Sequence, residues 1–257
     1  MKKQPYYMID FSASACLFEI RINDYPVIHM NVEGQVASMI PINYAILESG
    51  VQSLSVSILP NVGDLELHKK SEVNFNIKLF DTANDFIFEE QFGEYHSKAV
   101  EDKKIPIIKY SNSFEANVPY SLEAWQKGIN LKDIDDCRKK LESTYEKIAN
   151  IIKNNEFDLN KKLISKREEN MAISMYLSKD ESANRVDDLI KDFESGFEIQ
   201  PIPEDAVMVY CADNKVAMLK KPNGEPALFL ENKETEEELM LDLAFYIPVG
   251  KTEFEII

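Results

Sequence analysis

Two carboxylates stand out by position. Glu168 falls in the stripe Ile164–Glu168–Met171–Met175, whose intervals of three and four place it on the apolar side of a helix. Asp242 alternates with Met240, Ala244 and Tyr246, so in a strand the four share one face. If that helix packs on that strand, Glu168 and Asp242 meet inside a pocket with Tyr246 beside them. A carboxyl in apolar surroundings has its pKa raised and can act as general acid or base. The plainer expectation keeps Glu168 at the stripe's edge, paired with Lys161, Lys162 or Arg167, and leaves Asp242 in water on an edge strand.

A second concentration of charge lies in "ENKETEEELMLD", with Glu231, Glu234, Glu236, Glu237, Glu238 and Asp242. Five glutamates within residues 231–238 link two apolar segments, so the run reads as a protruding loop suited to a basic groove on a partner. The bland alternative is a solvated charge run.

Other chemistry is sparse. His29, His68 and His96 have neither i,i+4 spacing nor Cys or Glu at ligand spacing, so no metal site is expected. The GxSxG elbow of serine hydrolases is missing, as are GxGxxG and GxxxxGK[ST] in a chain with eight glycines. Cys16, Cys137 and Cys211 are odd in number, far apart and set in apolar patterns, which predicts buried thiols. No catalytic set and no cofactor are expected. Tyr6, Tyr7, Tyr25, Tyr44, Tyr95, Tyr110 and Tyr120 crowd the first half, with Trp125 nearby, as core, sandwich rim or a stacking surface.

The elements that must position these residues follow from periodicity. In "CLFEIRINDYPVIHMN" Cys16, Phe18, Ile20 and Ile22 alternate with polar or outward positions, and Asn23-Asp24 marks a turn. Leu54, Val56 and Ile58 alternate with serines; Val73, Phe75, Ile77 and Leu79 alternate with Asn74, Asn76 and Lys78. Six to eight short strands predict a β-sandwich of jelly-roll or immunoglobulin-like type over residues 1–120.

Near residues 118–130 the period changes. Ile134, Cys137, Leu141, Tyr145, Ile148 and Ile152 mark one helix, capped by Asn130 or Asp133. Leu163, Ile164, Met171, Met175 and Tyr176 mark a second. Val186, Leu189, Ile190 and Phe193 mark a third, ended by Gly196. "AVMVYC", "VAMLKK", "ALFLE" and "LMLDLAFYIP" then read as an antiparallel meander. Residues 121–257 are thus expected to form an α+β domain, with three helices over about 131–195 and about four strands over about 205–257.

"YAILESGVQSLSVSILP" resembles the strand-entry segment of carbohydrate-binding jelly-roll modules, though without a Trp/Tyr sugar platform. The helices-then-sheet order of the second half is similar to cone-shaped NTF2-like domains, which place a strand between helices that is not seen here. The first resemblance implies a glycan-binding module.

Charge narrows the partners. The chain carries a formal net charge of −16, with 10 basic against 16 acidic residues in 1–120 and 19 against 29 in 121–257. Such a surface repels nucleic-acid phosphates and anionic membranes and favours a basic protein. No run of 18 apolar residues is present, so no membrane span is expected. "MKKQPYYMIDFSASA" lacks the apolar core of a signal peptide, which predicts a cytoplasmic protein, or a periplasmic or envelope one had a signal segment been removed. The combined expectation is a non-enzymatic binding protein that captures a basic partner, such as a bacterial immunity-type protein neutralising a secreted toxin. The alternatives are a glycan- or small-molecule-binding envelope module, or an enzyme with a pocket in the α+β half.

Overall fold

Asn23 and Asp24 both take left-handed backbone angles (φ 52° and 58°), the geometry a two-residue hairpin turn requires and one that Asn and Asp tolerate. In the computed structural model, which describes residues 3–101 and 104–257, this turn joins β1 (Pro5–Ile22) to β2 (Tyr25–Pro41). The Asn23 side chain donates to Gln52 Oε1 (2.7 Å) and to the Ala45 carbonyl (2.9 Å), stitching the turn to the start of β3 (Gly50–Leu59).

β1 is 18 residues long and changes neighbours halfway. On one edge it pairs with β2; on the other, Pro5–Ser14 pairs with β4 (Glu72–Asp81) and Leu17–Ile22 with β3. β5 (Ile87–His96) extends the first arm and β6 (Ile108–Ala116) the second. All six strands form one continuous antiparallel sheet, in place of the separately hydrogen-bonded layers of a sandwich. The sheet bends at a bulge between Ser14 and Cys16, where Ala15 has φ 46°. Bulges sharpen local bending and twist. The outer strands consequently face each other: Phe92 of β5 lies 5.8 Å from Phe114 of β6, and Tyr95 lies 4.2 Å from Tyr110, centroid to centroid. The space enclosed is one apolar core that includes Ile9, Phe18, Val56 and Phe75. Residues 44–60, which resemble a jelly-roll strand entry, run from a 3-10 turn (Asn43–Ala45) into β3.

The second half contains three helices, α1 (Cys137–Lys153), α2 (Phe157–Ser174) and α3 (Lys179–Glu194). Asn130 caps a 3-10 turn (Leu131–Asp133) ahead of α1, and α1 itself starts at Cys137. A capping box of Ser178 and Glu181 opens α3, and Gly196 at φ 87° follows its end.

The strands depart from the expected meander. β8 (Val207–Cys211) and β9 (Val216–Lys220) do form a hairpin, and β12 (Phe245–Tyr246) and β13 (Glu255–Ile256) complete their sheet. β10 (Phe229–Asn232) instead pairs with β11 (Glu237–Met240) and with the two-residue β7 (Glu198–Ile199). The expected strand "LMLDLAFYIP" therefore breaks after Met240, and its two ends serve different sheets. Among the described residues no helix is long and apolar enough to cross a membrane.

The chain divides into two compact units, Met1–Leu122 and Glu123–Ile257, each with its own apolar core. We propose that each folds alone. Fragment 1–122 should give a β-type circular dichroism spectrum and a cooperative thermal transition; helical signal or non-cooperative melting would contradict this. All three cysteines are buried, and burial pushes the Cys16 thiol up to about 11.

Candidate functional site

The second unit holds a cavity of about 410 Å³ where the three helices face residues 239–243. Ile148 and Ile152 of α1, Ile164 of α2 and Phe193 of α3 supply apolar wall, all four buried. Leu241 and Leu243 close it from the sheet side. Those two leucines sit in the segment that breaks away from β11. A buried tyrosine fixes the segment: Tyr145 Oη donates to the Leu243 carbonyl (3.1 Å) and accepts from Leu219 N–H (2.9 Å). Complete burial holds the Tyr145 hydroxyl well above the usual phenol range.

Glu168 and Asp242 both line this cavity. Glu168 is buried, and each of its oxygens accepts from a different guanidinium: Arg167 Nη1 at 2.5 Å and Arg185 Nε at 2.8 Å. Of the basic residues expected beside it, Arg167 pairs, while Lys161 turns to Asp187 (2.7 Å). Asp242 sits at the cavity edge and accepts from the buried Lys220 (2.6 Å). Tyr246 does not belong to this wall. It lies in β12, opposite Val216 of β9, because the chain leaves strand geometry over residues 241–244 and the two-residue alternation stops there.

Among the wall residues not singled out from sequence, two carried a signal. Asn160 precedes Ile164 and Glu168 at intervals of four, so an amide stands on the stripe. It is buried, and its Oδ1 has no hydrogen-bond partner. Arg185 adjoins the apolar stripe of α3, four residues before Leu189.

The acidic run is a tight hairpin. β10 and β11 are joined by the four residues 233–236, and Asn232 Oδ1 accepts from Glu234 N–H (3.0 Å) and Thr235 N–H (3.3 Å). Glu234, Glu236, Glu237 and Glu238 are exposed, and Glu231 is half-buried. Glu231 lies opposite Glu238 on one side and Glu198 on the other, so three carboxylates line up across one face of the three-stranded sheet. Like charges at such positions repel. Lysines relieve part of this: Lys233 bonds Glu198 (2.5 Å), and Lys221 reaches Glu238 (3.4 Å) and Glu225 (3.2 Å). The Lys233 ammonium holds the Glu198 carboxyl below its ordinary range, and Glu198, with Glu231 behind it, holds Lys233 above its own.

Comparison with protein-family models, curated proteins and solved structures found no match. Among the described residues no group of three or more His, Cys, Asp or Glu is arranged to hold a metal. In the first unit most of the tyrosines singled out from sequence pack on the core. An exposed aromatic group lies elsewhere, at the β4–β5 turn: Phe86 stacks on Phe80 at 4.7 Å and meets Tyr6 at 5.4 Å, with Phe88 5.8 Å from Phe80.

Proposed function

We propose that the protein acts by binding, and that the hairpin of β10 and β11 captures a basic protein partner. The observation that carries this reading is the row Glu198–Glu231–Glu238, continued by exposed Glu234, Glu236 and Glu237 at the tip. Sheet pairing and the Asn232 turn bonds fix the backbone that carries the charges, so little loop ordering remains to oppose association. A fixed negative field of this kind raises encounter rates with a basic surface. Asp242, expected from sequence to join the binding set, is instead paired with Lys220 at the cavity edge, which neutralises its charge.

A second reading rests on the exposed Phe86 and Phe88, which pack on the half-buried Phe80. Aromatic faces stack on sugars, so the first unit is a candidate glycan binder. One experiment separates the two. A photo-reactive amino acid at the exposed Thr235 should cross-link, in the source cell, to a protein of basic surface. No product at Thr235, together with glycan-dependent protection of a second photo-reactive group at Phe88, would favour the glycan reading.

A further inference from the structure

The cavity of the second unit has the size of a small-molecule site, and its wall contains an unmet polar group. We propose that it binds a neutral molecule bearing one hydroxyl on an apolar body, such as an alkylphenol or a medium-chain alcohol. The cavity shares Leu239 and Met240 of β11 with the acidic hairpin, but its ligand does not depend on partner capture there.

Three observations select that class. The first is Asn160, 3% exposed, on the cavity wall, with Oδ1 lacking any partner. Buried amides are nearly always hydrogen-bonded, so this one is completed by a polar group placed against it, water or a ligand hydroxyl. A half-turn of the amide exchanges Oδ1 with Nδ2; a hydroxyl both donates and accepts, so it satisfies either orientation. The second is the apolar lining by Ile148, Ile152, Ile164, Phe193 and Leu241 within about 410 Å³, inside the usual range for ligand pockets of ~300–1,000 Å³. It accepts a hydrocarbon chain or ring.

The third is the state of the charges. Arg167 and Arg185 are both engaged by Glu168, Asp188 by Lys191, and Asp242 by Lys220. The wall sets four carboxylates, Glu168, Asp188, Asp192 and Asp242, against the two guanidiniums of Arg167 and Arg185, so an anionic ligand meets net negative charge. An ammonium beside Asn160 would lose its hydration among Ile148, Ile152 and Ile164, a large cost for a charge. A neutral hydroxyl avoids both.

The test uses the full chain and four probes of one size: 4-butylphenol, butylbenzene, 4-butylbenzoate and 4-butylbenzylamine. Binding is followed by methyl NMR shifts of Ile148, Ile152 and Ile164. 4-Butylphenol should bind about tenfold more tightly than butylbenzene, the effect of one well-placed hydrogen bond, equivalent to about 1.4 kcal/mol. Benzoate and benzylamine should bind more weakly than the phenol. In Asn160→Leu the advantage of the phenol over butylbenzene should vanish while butylbenzene still binds. A thermal melt confirms that this variant folds. Ile164→Trp, which projects a larger side chain into the cavity, should weaken all four probes. Absence of binding by every probe, a preference for either charged probe, or a phenol advantage that survives Asn160→Leu would overturn the proposal.

Discussion

Replacing Tyr145 by Phe should lower the stability of the second unit by about 3 kcal/mol, although only one oxygen is lost. Tyr145 is fully enclosed, and its hydroxyl links the N–H of Leu219 in β9 to the carbonyl of Leu243. Phe keeps the ring contact with Phe245, whose centroid lies 4.8 Å away. It strands one buried donor and one buried acceptor, and each such group costs about 1–3 kcal/mol. In a unit of this size that corresponds to a fall in Tm of roughly 10 °C. Urea unfolding of wild type and variant measures the difference. A loss below about 1 kcal/mol would mean that water replaces the hydroxyl, and that Tyr145 does not fix the 241–244 segment.

The second large effect is expected at Glu168. Its side chain is 9% exposed and holds Arg167 and Arg185, which are 24% and 44% exposed. Glu168→Gln removes the only charge between two guanidiniums. Breaking a buried pair by deleting one member costs about 3–5 kcal/mol; the partial exposure of Arg185 lets water take up part of that charge, so about 2 kcal/mol is expected here. Double replacement with Arg185→Leu should recover a good part of the loss, because the uncompensated cation goes with it. Denaturant midpoints at neutral pH check both. If Glu168→Gln is neutral, the ion triad is incidental to the packing of α2 on α3.

How much of this was legible varies by element, for identifiable reasons. Leu54, Val56 and Ile58, with Val73, Phe75 and Ile77, alternate over strands of constant parity, and all six are buried. β1 hides its first half. Apart from Met8, its buried residues are odd-numbered from Tyr7 to Ala13 and even-numbered from Cys16 to Ile22, since the extra residue at Ala15 shifts parity while the same face stays inward. A search for unbroken alternation therefore starts at Cys16 and misses ten paired residues. The turn over 23–24 needed only its two residue types.

In the second unit the helix stripes were readable because α1 and α3 are amphipathic over four turns or more. The sheets were not. β7 has two residues and no period, yet it supplies Glu198, which lengthens the acidic row. Asp242 and Tyr246 looked equivalent by alternation; the break over 241–244 sends one to the cavity edge and the other to a different sheet. Asn160 shows the converse, a polar residue on an apolar stripe whose meaning emerges only when the facing wall is known to offer it no partner.

Capture of a basic partner by the acidic hairpin is read out by association kinetics. Glu234, Glu236, Glu237 and Glu238 are replaced together by Gln, exposed changes that cost the fold little. The protein recovered by cross-linking at Thr235 serves as ligand. At low salt the variant should associate at least tenfold more slowly than wild type, with dissociation changed less than threefold. The two should converge as salt rises, because the screening length falls from about 10 Å at 0.1 M to about 3 Å at 1 M. Equal association rates at low salt would contradict the claim and leave the hairpin as a solvated turn.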